Sequence, residues 1–317
     1  MICVLAGGVG AARLLRGLAQ LVPPSELVAI GNTGDDLVLH GLHVSPDLDT
    51  VTYTLAGLAD EAQGWGRREE RWTVMEELER LGGQTWFRLG DRDLATHLYR
   101  TQRLAEGATL TEVTAELVAR LGAPLRLLPM SDDPVRTRLT LADGREVAFQ
   151  EYFVALRHQV PVRAVRYLGA EAAQPAPGVL RAIAEAERIV VAPSNPILSI
   201  GPVLAVPGVR PALAARRDDV VAVSPLIGGR AVKGPADRLL AELGHDASSA
   251  AVARFYAELA GTLVLDHQDR DDVASVQAAG VRAVLAPTLM SDLARATELA
   301  RVVLAAGPAS VPAPDPA

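Results

Sequence analysis

Short apolar runs recur along the chain, and most of them close on a turn rich in Gly, Asn or Ser. "ICVLA" runs into "GGVG", and the next stretch, "AARLLRGLAQL", puts Leu14, Leu15 and Leu18 on one face at helical spacing. "ELVAI" then closes on "GNTGDD". Later in the chain "RIVVA", "VVAV", "GTLVLD" and "VRAVLA" read as further strands, with helical segments between several of them. These runs are apolar throughout rather than alternating, as strands buried on both faces are. Such strands separated by helices predict an α/β fold, a parallel sheet with helices on both faces.

The middle of the chain has a different texture. Residues 67–82, 92–106 and 110–121 carry helical periodicity, and Thr109 with Glu112 has capping-box spacing. This predicts a largely helical insertion over about 60–122 within one α/β domain spanning 1–305. "RTRLTLADGREVAFQ" alternates around Asp143-Gly144, which predicts a hairpin. The Pro/Ala-rich stretch 306–317 is expected to be a disordered tail.

Composition narrows the function classes. A hydrophobic fraction of 49% and a charged fraction of 22% are those of an ordinary globular protein. A net charge of -7 and the absence of a Lys/Arg stripe argue against a nucleic-acid partner. Cys3 is the only cysteine, so neither an internal disulfide nor a zinc cluster is available. The start lacks a signal-peptide pattern, and no run of about 18 apolar residues is free of charge or Pro, so a cytoplasmic protein without a membrane partner is expected. His40, His43, His97, His158, His245 and His267 show no metal-ligand spacing and read as structural or exposed.

Ligands of open parallel sheets bind at the C-terminal strand ends. Here those ends carry "GGVG", "GNTGDD", "PSNP" and "SPLIGG", which together predict one polar crevice. Gly7, Gly8 and Gly10 would let backbone N–H groups approach an anion at a helix N-terminus. The turn is not a Walker loop, because the only lysine is Lys233. It is not a dinucleotide fingerprint either: Arg13 stands where the third glycine belongs, and Asn32 where the second strand should offer an acid. Asn195 could read a base or ribose edge, and Asp91 and Asp93 suit a helix start, whereas Arg88 among apolar residues has no such explanation. In "SPDLDT", Ser45 reads as N-cap and Pro46 as the first helical residue, with Asp47 and Asp49 in the positive first turn. Residues two apart do not share a helix face, so at most one of these acids faces a given site; spacing leaves open which.

Taken in order, "LAGGVGAARLLRGL", "GNTGDDLVLHGLHVSPDLDTVTYTLAG", "GWG", "LGDRDLATH", "LPMSDDPV" and "APSNPILSIGPVLAVPGVR" resemble the 2-phospho-L-lactate transferase family of deazaflavin coenzyme F-420 biosynthesis, over about residues 1–305. The resemblance implies a Rossmann-like fold, a homodimer, a guanosine diphosphate-linked donor, the deazaflavin acceptor Fo, release of GMP, and Mg2+. It implies acceptor binding by Asp49 and Arg88, and selects Asp49 as the acid facing the site, placed to orient or deprotonate the ribityl hydroxyl. Donor binding then falls to Gly7, Gly8, Gly10, Arg13, Asn32, Ser194 and Asn195, and Asp35, Asp36 and Asp47 are candidate magnesium ligands. The donor's three-carbon unit stays open between 2-phospholactyl and phosphoenolpyruvyl; the "GWG" and "DLATHL" wording resembles bacterial members, which favour the latter. The competing reading is a non-enzymatic nucleotide-sugar-binding regulator of the same fold, against which "PDLDT" and "GDRDLATH" discriminate.

Overall fold

The computed structural model describes residues 1–307. The strands are β1 Ile2–Ala6, β2 Leu27–Gly31, β3 Leu37–Leu39, β4 Leu42–Val44, β5 Arg126–Pro129, β6 Arg136–Leu141, β7 Glu146–Ala148, β8 Val162–Leu168, β9 Arg188–Val191, β10 Val220–Val223, β11 Leu226–Ile227, β12 Arg230–Ala231, β13 Thr262–Asp266 and β14 Arg282–Ala286. Seven of them form a parallel sheet in the order β14-β13-β10-β9-β1-β2-β5. From β1 the chain builds outward through β2 and β5, then returns to lay β9 on the other side of β1. The order reverses between β1 and β9, and a ligand crevice belongs at the carboxyl ends of those two strands.

Six of the seven strands are buried along most of their length, as the continuous apolar runs predict; the edge strand β14 is not, because no further strand covers it and Arg282 and Leu285 are exposed. Along β1, Cys3 and Leu5 join the core on one side, while Ile2, Val4 and Ala6 join the core on the other. Burial pushes the Cys3 thiol up to about 12, so it behaves as a small apolar side chain. The first helix, α1 Gly8–Leu18, buries Leu14, Leu15 and Leu18. It lies so close to the C-terminal helix Leu293–Ala305 that a Cβ at Gly17 would overlap the Ala296 backbone. The tail expected to be disordered lies, beyond Gly307, outside the described residues.

Three helices between β4 and β5 follow α2 Pro46–Leu55: α3 Thr73–Arg80, α4 Asp91–Ala105 and α5 Leu110–Leu121. The helix expected over 67–82 is shorter, because its first residues are pulled into a loop: Arg68 N–H donates to Leu58 O at 2.8 Å, and Ala59 bridges Arg67. Asp91 does not cap its own helix. Its carboxylate accepts from Val74 N–H at 3.2 Å, at the start of α3. The orphan amides of α4 are met instead by Glu70, which accepts from Arg92 and Asp93 N–H at 2.7 and 2.9 Å. The capping box of Thr109 and Glu112 is present on α5. β6 and β7 form the expected hairpin, and β8 adds a third antiparallel strand to it. No helix among the described residues is long and apolar enough to cross a membrane.

Candidate active site

A cavity of about 700 Å³ opens at the carboxyl ends of the central strands. That volume is in the range of small-molecule sites. The loops after β1, β2, β9 and β10 all reach it, so Gly7, Gly8, Gly10, Arg13, Asp35, Asp47, Ser194 and Asn195 share its wall, together with Arg88 from the loop before α4. The two loops at the strand-order reversal are fastened to each other. Ser194 Oγ donates to Gly7 O at 2.7 Å, and a Cβ at Gly10 would overlap Pro193 O. Asn195 spends its side-chain oxygen on the amides of Ile197 and Leu198, at 2.9 and 3.0 Å, and so caps the π-helical turn Pro196–Ile200. A second π-helical turn, Glu151–Ala155, also reaches the cavity through Phe153 and Val154. Such turns are rare and concentrate at functional sites.

Asp47 lies at the head of α2 and turns its carboxylate toward Gly7 and Gly8 at the positive start of α1. The Asn32 amide donates to Asp47 Oδ2 at 2.9 Å and to Asp35 Oδ1, so one side chain links the two acids. Its oxygen accepts from Gly34 N–H at 2.8 Å, which fixes the amide's orientation. Asn32 itself is fully buried and supports the wall without lining it. Burial pushes the Asp47 carboxyl up to about 6. Burial, then repulsion by Asp47, carries Asp35 well above the carboxylate range. Asp36 is pushed up to about 7, mainly by burial, and accepts from Ser45 Oγ at 2.7 Å. Ser45 stands at the N-cap position but makes no cap hydrogen bond, because its hydroxyl serves Asp36.

Asp35 and Asp47, linked through Asn32 on the cavity wall, are hard oxygen donors of the kind that could hold a divalent cation. A second group, Asp49, Asp93 and His97, also brings ligand atoms within 4.8 Å of one another. Here the positive charge is already supplied by protein. Arg100, 2% exposed, donates through Nη2 to Asp49 Oδ1 and through Nη1 to His97 Nδ1 at 3.1 Å. A guanidinium can only donate, so Nδ1 accepts and, in the neutral ring, the proton is on Nε2, 3.3 Å from Asp93 Oδ1. Tyr53 Oη donates to the same Asp93 oxygen at 2.6 Å. Burial would raise the Asp93 pKa, but the His97 ring beside it and the hydrogen bond from Tyr53 outweigh it and lower it instead.

Asp49, the acid expected to face the site, does not line the cavity; Asp47 does. The reason is the helix geometry that separates residues two apart, combined with a buried cation on α4 that claims Asp49. His97 belongs to this network and is 1% exposed. The i, i+4 spacing of Asp93 and His97 was available as a signal, but Asp49 lies far away in sequence and only the fold adds it.

Several cavity residues lie outside the strand-end loops and acids singled out in the sequence. Lys233 lines it, on the loop after β12. Trp65, Trp86 and Phe87 face it from the region between α2 and α4, and Phe149 and Phe153 from the segment after β7. Phe149 and Phe153 stack at 5.4 Å, and Arg88 lies over the Trp72 ring at 4.4 Å. The signals that could have found them are the aromatic pairs in "QTWFRLG" and "VAFQEYFV" at positions bounded by turns.

Comparison with known proteins agrees with this picture. The family model described as 2-phospho-L-lactate transferase CofD matches residues 2–295. A phosphoenolpyruvate transferase of Kitasatospora aureofaciens is 50% identical over 310 residues, covering 96% of this chain and 97% of that protein. A phosphoenolpyruvate transferase of Thermobifida fusca is 47% identical over 312 residues, covering 94% and 95%. Among solved structures, a UPF0052 family member from Bacillus halodurans matches with a TM-score of 0.64 at 16% identity, covering 96% of this chain and 98% of that one, a likeness of fold alone.

Proposed function

Because the chain belongs to the 2-phospho-L-lactate transferase CofD family, we propose that it transfers a phosphorylated three-carbon acid from a guanosine diphosphate-linked donor to the deazaflavin Fo and releases GMP. The relatives named phosphoenolpyruvate transferase favour the phosphoenolpyruvyl donor over the 2-phospholactyl one. The observation that carries the reading is the division of the cavity wall. The start of α1, Arg13 and Lys233 offer positive charge on one part, Asp35 and Asp47 form an acid pair beside it, and aromatic side chains line the rest. A diphosphate, a divalent cation and a planar ring system match these three parts.

In the reaction the terminal ribityl hydroxyl attacks the phosphorus bearing the three-carbon acid. The new O–P bond forms as the bridging P–O bond breaks, the hydroxyl proton is released to solvent, and GMP carries away the bridging oxygen. A transfer of this kind asks for in-line placement and charge neutralisation more than for covalent help. Asp35 and Asp47 would hold the magnesium ion, which when bound offsets charge on the diphosphate oxygens. The start of α1 and the Ser194–Asn195 loop, which share the cavity wall, would position the donor, with the Asn195 side-chain amide available to the guanosine. Trp65, Trp86, Phe149 and Phe153 offer the faces on which the deazaflavin ring stacks, with Arg88 at the same wall. Asp49 is best read as a positioning residue: through Arg100 it fixes α2, and with it Asp47. The test is a turnover assay with each donor and Fo, followed by mass spectrometry of the product. Product from the phosphoenolpyruvyl donor is expected; no product from either donor excludes the proposal.

The acid pair sets a pH dependence. In the metal-free protein, folded Asp35 and Asp47 hold protons that the unfolded chain has lost above about pH 4. Their contribution to stability is therefore fully present below about pH 4 and lost as pH rises through about 6 and beyond. A cation must displace the same protons, so Mg2+ affinity is expected to rise with pH and to fall roughly tenfold for each pH unit below 6 per acid protonated. Calorimetric titration of Mg2+ at pH 5.5, 6.5 and 7.5 checks this; an affinity unchanged across the series removes these acids as ligands.

A further inference from the structure

We infer that Lys233 is a phosphate-binding residue of the donor site, acting with Arg13, and that the Gly64-Trp65-Gly66 turn is shaped to let the Lys233 ammonium reach the cavity. The inference rests on the reading above that the cavity takes a diphosphate-linked donor. Lys233 and Arg13 both line the cavity, and among the described residues neither has a carboxylate within ion-pair distance. Arg13 makes a side-chain hydrogen bond from Nη1 to Met290 O at 3.2 Å, which leaves donors for a ligand. Two cations that lack acidic partners repel each other, and an anion between them relieves the repulsion. Burial first, and the Arg13 charge second, lower the Lys233 pKa, which agrees with that proximity.

The approach of Lys233 also accounts for the "GWG" turn. Gly64 has φ of 78°, and a Cβ there would overlap Lys233 Nζ. The positive φ favours glycine here, and a Cβ would push the Lys233 ammonium away from its present position. Trp65 and Gly64 line the cavity with Lys233, so the loop carrying the lysine and the loop carrying the tryptophan meet at its wall. A primary ammonium at this point serves as a compact charge for phosphate oxygens.

Lys233 is the chain's only lysine, which makes it chemically addressable. The other amine, the Met1 terminus, pairs with Glu187 at 3.3 Å at the start of β1, the opposite end of the sheet from the cavity, and serves as internal control. Modification by acetic anhydride, read by peptide mass spectrometry, is expected to slow at Lys233 but not at Met1 when inorganic pyrophosphate and Mg2+ are present. Lys233→Met is expected to weaken guanosine diphosphate binding by about tenfold to a hundredfold, the scale of a charge-assisted hydrogen bond, and Lys233→Arg to recover most of it. Gly64→Ala should lower donor affinity in the wild type and add little in the Lys233→Met background. Labelling indifferent to pyrophosphate, or a Lys233→Met enzyme with unchanged guanosine diphosphate affinity and turnover, overturns the inference while leaving the transferase reading standing. Wild-type protein that binds no guanosine diphosphate and forms no product overturns both.

Discussion

Replacement of Asp47 by Asn is expected to cut transfer by about a hundredfold or more, while the folded state at pH 7.5 becomes no less stable. The two effects have one cause. Asp47 is 7% exposed, shares an amide with Asp35, and has its carboxyl pushed up to about 6 by burial. At pH 7.5 the fold therefore carries an ionised acid that it disfavours. Asn keeps the shape and removes that charge, which should stabilise by on the order of 1–2 kcal/mol, given about 1.4 kcal/mol for each tenfold change in an ionisation constant. The same change removes one of the two carboxylates that fit a divalent cation, and with it the means of neutralising the diphosphate. The stability gain should shrink as pH falls through about 6, be clearly smaller at pH 4.5, and vanish only well below the ordinary aspartate range, where Asp47 is protonated in both states. Melting curves at pH 4.5 and 7.5, beside steady-state turnover, check both halves. An Asp47→Asn enzyme with near wild-type turnover would remove Asp47 from the site.

The strands were legible because burial on both faces leaves a continuous apolar run, as in "RIVVA" and "GTLVLD", and because each ends in residues that turn. The crevice was legible for the same reason: the four polar loops follow four of those runs. β8 was harder, since "VRAVRYL" is only partly buried and pairs with β6 across a bulge. The choice between Asp47 and Asp49 could not come from periodicity. Both acids are buried, one against the start of α1 and the other against Arg100, so α2 has no exposed face at its head to mark the outside. Lys233 stands in no recognisable motif, and in the sequence it serves only to exclude a Walker loop. Its place beside Arg13 depends on β11 and β12 folding back over the cavity, a contact that no spacing announces.

The Asp49–Arg100 pair can separate a catalytic Asp49 from a positioning one. Arg100 is 2% exposed and donates to Asp49 Oδ1, to His97 Nδ1 and to His43 O at 3.3 Å. Removing one partner of such a pair leaves an uncompensated buried charge, so Arg100→Gln and Asp49→Asn are each expected to destabilise by about 3–5 kcal/mol. Either single change loosens α2 against α4, displaces Asp47, and lowers turnover for that reason alone. Lost activity in a single variant therefore does not show that Asp49 touches substrate. The double variant Asp49→Asn/Arg100→Gln removes both charges and leaves two amides able to hydrogen-bond across the same gap. If Asp49 acts by holding α2, the double variant should regain most of the lost stability and carry out transfer within about tenfold of wild type. The non-additivity would be the sum of the single losses minus the double loss, on the order of several kcal/mol for a buried, directly bonded pair. If instead Asp49 orients the acceptor hydroxyl, the double variant will fold as well as wild type and still turn over at least a hundredfold more slowly, the scale of a lost general base. Chemical denaturation of the four proteins, with turnover of each at fixed Fo and donor, decides between them, and a stable but inactive double variant would return Asp49 to the acceptor site.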